Sequence, residues 1–77
     1  MEAVVAPLTQ RETQILNYIA EGNTNKQIAH ILGISEQTIK SHVSAILRKL
    51  NANDRAHAVS LAILNGWISV GRVLEGV

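Results

Sequence analysis

Lys26, Lys40, Arg48 and Lys49 fall between Asn23 and Leu50, a stretch whose one carboxylate is Glu36. Short polar side chains are interleaved with them: Thr24, Gln37, Ser41 and Ser44. Ammonium and guanidinium groups neutralise phosphate or carboxylate oxygens, and hydroxyl and amide groups trade hydrogen bonds with polar edges. That is the chemistry of recognition. Nothing comparable points to bond breaking. Ser35, Ser41, Ser44 and Ser60 stand in no G-x-S-x-G setting and have no paired histidine and aspartate, and no glycine-rich phosphate loop is present. His30, His42 and His57 lack H-x-x-x-H spacing and no cysteine joins them, so neither a metal site nor a cofactor is expected and the chain reads as a non-enzyme.

The elements that must carry these groups follow from apolar spacing. Asn25 to Leu32 reads as a short helix of about two turns, opened by a Thr24/Gln27 capping box, with Ile28, Ala29, Ile31 and Leu32 on its apolar face. Gly33 follows where a helix closes in a left-handed residue. Ser35 is placed to cap a second helix from Glu36 to Leu50, and Ile34 to staple onto Ile39. On that helix Ile39, Val43, Ile46, Leu47 and Leu50 make one core-facing stripe. The opposite face carries Gln37, Ser41, Ser44 and Arg48, flanked by Lys40 and Ala45. Two helices joined by a glycine turn, the second with a polar, cationic outer face, have the form of a helix-turn-helix. Any amphipathic helical hairpin also has a polar face, and the geometry alone leaves a merely solvated surface open.

Upstream, Thr9 and Glu12 form another T-x-x-E capping box, and Ile15, Leu16 and Ile19 give a first helix its apolar stripe until Gly22. Downstream, Asn51-Ala52-Asn53 is a polar turn, and Asp54 caps a last helix from Arg55 to Asn65 with Gly66 beyond it. Ala58 and Ala62, Val59 and Ile63, Leu61 and Leu64 place apolar groups on nearly all sides of this helix. A second buried surface is expected there, supplied by a partner helix or by Trp67, Ile68, Val70, Val73 and Leu74 folding back. The organisation is a linker or leader over 1–7, one all-α domain of four helices over 8–68, and a tail over 69–77.

Seventy-seven residues hold one small domain, and a net charge of +1 conceals an uneven distribution. Residues 1–22 set Arg11 against Glu2, Glu12 and Glu21, a balance of −2. Residues 23–50 hold +3, and residues 51–77 balance to 0. Positive charge is concentrated on the hairpin. The absence of cysteine suits a reducing compartment, and the apolar runs are too short to cross a bilayer, so a soluble cytoplasmic protein without membrane contact is expected.

The stretches LTQRETQIL and GNTNKQIAHILGISEQTIKSHVSAILRKLNANDRAHAV resemble the DNA-binding domain of the LuxR family, also called the GerE or NarL/FixJ type. The resemblance runs from Leu8 to about Ile68 and rests on L-T-x-R-E, N-K-Q-I-A, I-S-E-x-T-I-K-x-H-V, and K-L followed by D-R. It implies a four-helix domain whose second and third helices form a helix-turn-helix, binding double-stranded DNA as a dimer to regulate transcription, as in the output domains of two-component response regulators.

Position by position, the resemblance makes 36–50 the recognition helix in the major groove. Lys40, Ser41 and Ser44 are implied at base edges, and Thr24, Lys26, Gln37, Arg48 and Lys49 at phosphates. The dimer contact is implied on the last helix, with Leu61, Leu64, Arg55 and His57. Ser44 departs from the longer polar or cationic residue frequent there, which thins direct readout. The partners expected are double-stranded DNA and a second copy, with RNA polymerase left open. The competing reading is a helical interaction or dimerisation module without specific DNA affinity.

Overall fold

In the computed structural model, which describes residues 7–69, four helices follow one another: α1 Gln10–Ala20, α2 Asn25–Leu32, α3 Glu36–Leu50 and α4 Arg55–Leu64. No strand occurs among the described residues. Each helix starts where a side chain replaces the missing intrahelical partner of an early amide. Thr9 accepts from the Glu12 amide at 3.1 Å while Glu12 accepts from the Thr9 amide at 2.9 Å. Thr24 and Gln27 repeat this reciprocal pair at the start of α2. Ser35 caps α3 through the Thr38 amide at 3.0 Å, and Asp54 caps α4 through the His57 amide at 2.8 Å.

The stops are as local as the starts. Gly33 sits at φ 68°, ψ 32°, and the Ile34 amide reaches back to the Ala29 carbonyl at 3.0 Å. This left-handed closure ends α2 after two turns and lets the chain double back into α3. Asn51 performs the same task for α3 at φ 53°, with the Ala52 amide on the Leu47 carbonyl at 2.9 Å. The polar turn expected at 51–53 thus holds a second left-handed cap, at a residue type that tolerates it.

Ile15, Leu16, Ile28, Ile39 and Ile46 are fully buried, joined in one core by Ala58, Ala62 and Ile68. α3 runs through the middle, packing on α1, α2 and α4, while α1 also packs on α4. The core stripe of α3 lies as expected, with Ile39, Val43 and Ile46 buried and Leu47 and Leu50 half-buried against the cluster. α2 departs from its expected apolar face: Ile28 and Ala29 are buried, but Ile31 is 48% exposed. A two-turn helix leaning chiefly on α3 covers a narrow strip, and Ile31 lies beyond its edge.

α4 is one residue shorter than expected, with Asn65 as its C-cap. Its small residues Ala58 and Ala62 face the core, Val59 and Leu61 are half-buried, and Ile63 and Leu64 are exposed, Leu64 by 83%. Trp67 packs against the core and Ile68 enters it, so this part of the expected fold-back is present. Val70, Val73 and Leu74 lie outside the described residues, as does most of the expected leader over 1–7.

Candidate nucleic-acid interface

The core stripe of α3 dictates what its other side presents. With Ile39, Val43 and Ile46 held inward, Gln37, Lys40, Ser41, Ser44 and Arg48 all project outward and are exposed. Lys40, Ser41 and Ser44, one and four positions apart, share one face of the helix. Ser35, which starts the helix, is itself exposed, and its hydroxyl meets that of Thr38 at 2.8 Å.

The start of α2 adds a second cluster. Thr24 and Lys26 are exposed, and Asn25 is half-buried between them. An α-helix begins with four amides that lack intrahelical partners. The capping box satisfies those of Thr24 and Gln27, leaving the amides of Asn25 and Lys26 directed out of the helix end, in a turn where the Lys26 side chain is exposed. This is an electropositive helix start suited to an anion. A shallow groove joins it to α3: Asn25, Lys40, Ser44 and Arg55 all line it. The side chains of Lys26, Lys40 and Arg48 make no hydrogen bond or ion pair among the described residues.

Lys49, expected at a phosphate, is placed differently. Its ammonium meets both carboxylate oxygens of Glu12, at 2.7 and 3.0 Å, across the α1–α3 contact. Burial pushes the Glu12 carboxyl up, but the hydrogen bonds and charge of Lys49, together with the Thr9 amide, outweigh it and hold the group below the ordinary carboxylate range. Glu12 is 4% exposed, so a neighbouring cation relieves most of the cost of burying its charge. Glu12 therefore serves twice, closing the α1 capping box and fastening the far end of α3.

Two of the four residues expected at a dimer contact are also engaged within the chain. The Arg55 guanidinium donates to the Asn25 side-chain oxygen and, at 3.1 Å, to the Asn23 carbonyl. His57 Nδ1 accepts from the Asn53 amide at 3.0 Å, tightening the turn before α4. Leu64 remains open, and Leu61 is half-buried. Sequence reasoning missed the Glu12–Lys49 and Arg55–Asn25 ties. Their partners are 37 and 30 positions apart, and no local pattern signals such a pairing. No cluster of three His, Asp or Glu side chains suited to a metal occurs among the described residues.

Helix, tight left-handed turn and a second helix with an exposed polar and cationic face define a helix-turn-helix protein. Residues 6–62 match the model of the bacterial regulatory proteins of the luxR family, and the chain belongs to that family. It is 49% identical over 63 residues to the transcriptional regulatory protein DegU of Brevibacillus brevis, covering 82% of this chain and 27% of that protein. To the nitrate/nitrite response regulator protein NarP of Escherichia coli strain K12 it is 52% identical over 54 residues, 70% of this chain and 25% of that one. A crystal structure of the response regulator ChrA of a heme-sensing two-component system superposes with a TM-score of 0.75 at 34% identity, over 88% of this chain and 32% of that chain. The chain thus spans less than a third of the length of these relatives.

Proposed function

We propose that this domain binds double-stranded DNA sequence-specifically, with α3 in the major groove, as the cytoplasmic output module of a two-component transcription regulator. The observation that carries the reading is the outward face of the hairpin, where Lys26, Lys40 and Arg48 are exposed without partners among the described residues. The family match and the response-regulator relatives support the same role. Lys40, Ser41 and Ser44 read base edges, while Thr24, Lys26, Gln37 and Arg48 hold phosphates and so fix the register. Lys49 leaves the phosphate set because Glu12 claims its ammonium.

Two copies meet on DNA through α4. Leu64 and Ile63 supply an apolar surface left uncovered by the described residues. A single helix pair buries less than the roughly 1,200 Å² of a stable interface, so association is weak until inverted half-sites hold two copies side by side.

The test is a titration of random duplex, then of sites selected from it, across salt concentrations. The two cations of the phosphate set, Lys26 and Arg48, give a slope of log affinity against log salt of about −2 per half-site, at about −0.9 per neutralised phosphate. Affinity independent of salt, or equal for selected and scrambled duplex, would leave a helical interaction module instead. On a two-half-site duplex, Leu64→Glu removes cooperative binding and leaves single-site binding intact.

A further inference from the structure

We infer that Arg55 is a positioning residue for DNA binding: by gripping the Asn23 carbonyl and the Asn25 side chain, its guanidinium sets the first turn of α2 so that Thr24 and Lys26 face the phosphate backbone. This rests on the DNA-binding reading of the hairpin proposed above.

The first turn of α2 has little else to orient it. The buried residues of α2, Ile28 and Ala29, lie beyond that turn, and Thr24, Lys26 and Gln27 are exposed. A helix of eight residues is too short to stand without tertiary support. On the α1 side the turn is anchored by Asn23, whose amide and side-chain nitrogen both donate to the Tyr18 carbonyl, at 3.1 and 3.0 Å. Arg55 grips the same residue from the other side, through its carbonyl, and then the next-but-one side chain, Asn25. The α1 terminus, the turn, the start of α2 and the start of α4 are thereby tied at one point.

The choice of arginine fits the task. A planar guanidinium holds two acceptors in fixed relative positions, which a lysine ammonium on a flexible stem does not. The cation also lies beside the positive end of the α2 dipole, an arrangement unfavourable in the free domain and favourable once a phosphate arrives. The tie therefore contributes more to the DNA complex than to the stability of the domain alone. Lys40 and Ser44 line the same groove as Arg55 and Asn25, so a shift of the α2 terminus also displaces the phosphate clamp relative to the base-reading face.

The experiment compares wild type, Arg55→Gln, Arg55→Lys, Asn25→Ala, Lys26→Ala and the Arg55→Gln/Lys26→Ala pair on cognate and scrambled duplexes, with thermal unfolding of each. Arg55→Gln lowers affinity for both duplexes by roughly five- to tenfold, the scale of one net hydrogen bond. Arg55→Lys does not rescue it, and Asn25→Ala reproduces part of the loss in a folded domain. In the Lys26→Ala background the effect of Arg55→Gln shrinks by half or more, because the clamp it positions is already weakened. Full additivity in the pair would mean that Arg55 meets DNA by itself and would overturn the inference. So would unchanged affinity in folded Arg55→Gln, or a loss confined to cooperative binding on two half-sites. Wild type that binds neither duplex would remove the DNA reading itself, and this inference with it.

Discussion

Neighbouring residues on α3 meet opposite fates on its two faces. Ile39 is fully buried while Lys40 is exposed, and nine residues further on Arg48 points to solvent while Lys49 reaches back to Glu12. One hundred degrees of rotation separates the members of each pair. The first contrast is set by polarity and follows from the wheel. The second is between two cations, and only a buried carboxylate within reach tells them apart. Exposure of a cation in a pattern is thus no guide to its use unless the anions folded near it are known.

The largest effect is expected at Ile39. Ile39→Ala opens a cavity in the core and destabilises the domain by about 2 to 5 kcal/mol, measured by chemical denaturation. A loss of DNA binding at full stability would place this side chain on the wrong face. At its neighbour, Lys40→Ala leaves stability unchanged and reduces discrimination between cognate and scrambled duplex by about 1 to 3 kcal/mol. Equal loss on both duplexes would move Lys40 to the phosphates.

Arg48 and Lys49 differ in what their removal costs. Breaking a fully buried ion pair costs about 3 to 5 kcal/mol, but the Lys49 side chain is 37% exposed, and screening reduces the expected cost of Lys49→Met to about 1 to 2. Lys49→Met leaves the salt slope of DNA binding unchanged, whereas Arg48→Ala keeps stability and flattens that slope by about one unit. Reversed results would exchange the roles of the two cations. Glu12 adds a pH signature. Its folded carboxyl titrates below the ordinary range, so its contribution is present above that range and is lost as pH falls through the folded value. Glu12→Gln should therefore flatten the acid limb of stability relative to wild type, and an unaltered limb would show that the pair contributes nothing.

The smallest effect belongs to the cap at the other end of the α1–α3 tie. Thr9→Ala costs about 1 kcal/mol through the Glu12 amide left without its acceptor, with no change in DNA affinity once the protein is folded. A drop in affinity at unchanged stability would move Thr9 to the DNA surface.

Local features are legible in the order of residues along the chain. Thr9, Thr24, Ser35 and Asp54 announce helix starts because a cap bonds an amide only three residues away, and Gly33 announces a stop because few other residues adopt its left-handed backbone. The apolar period of α3 fixed its inner face and hence the outward row of Gln37, Lys40, Ser41, Ser44 and Arg48. Contacts between helices set the remaining features. Ile31 keeps the period of α2 yet is exposed, because burial needs a neighbour as well as a stripe. Lys49 and Arg55 carry the charge of an interface residue yet bind Glu12, Asn23 and Asn25, partners brought near by the packing of α1, α3 and α4. Electrostatic pairing depends on distance in space, and helical periodicity describes only the side from which a residue sets out.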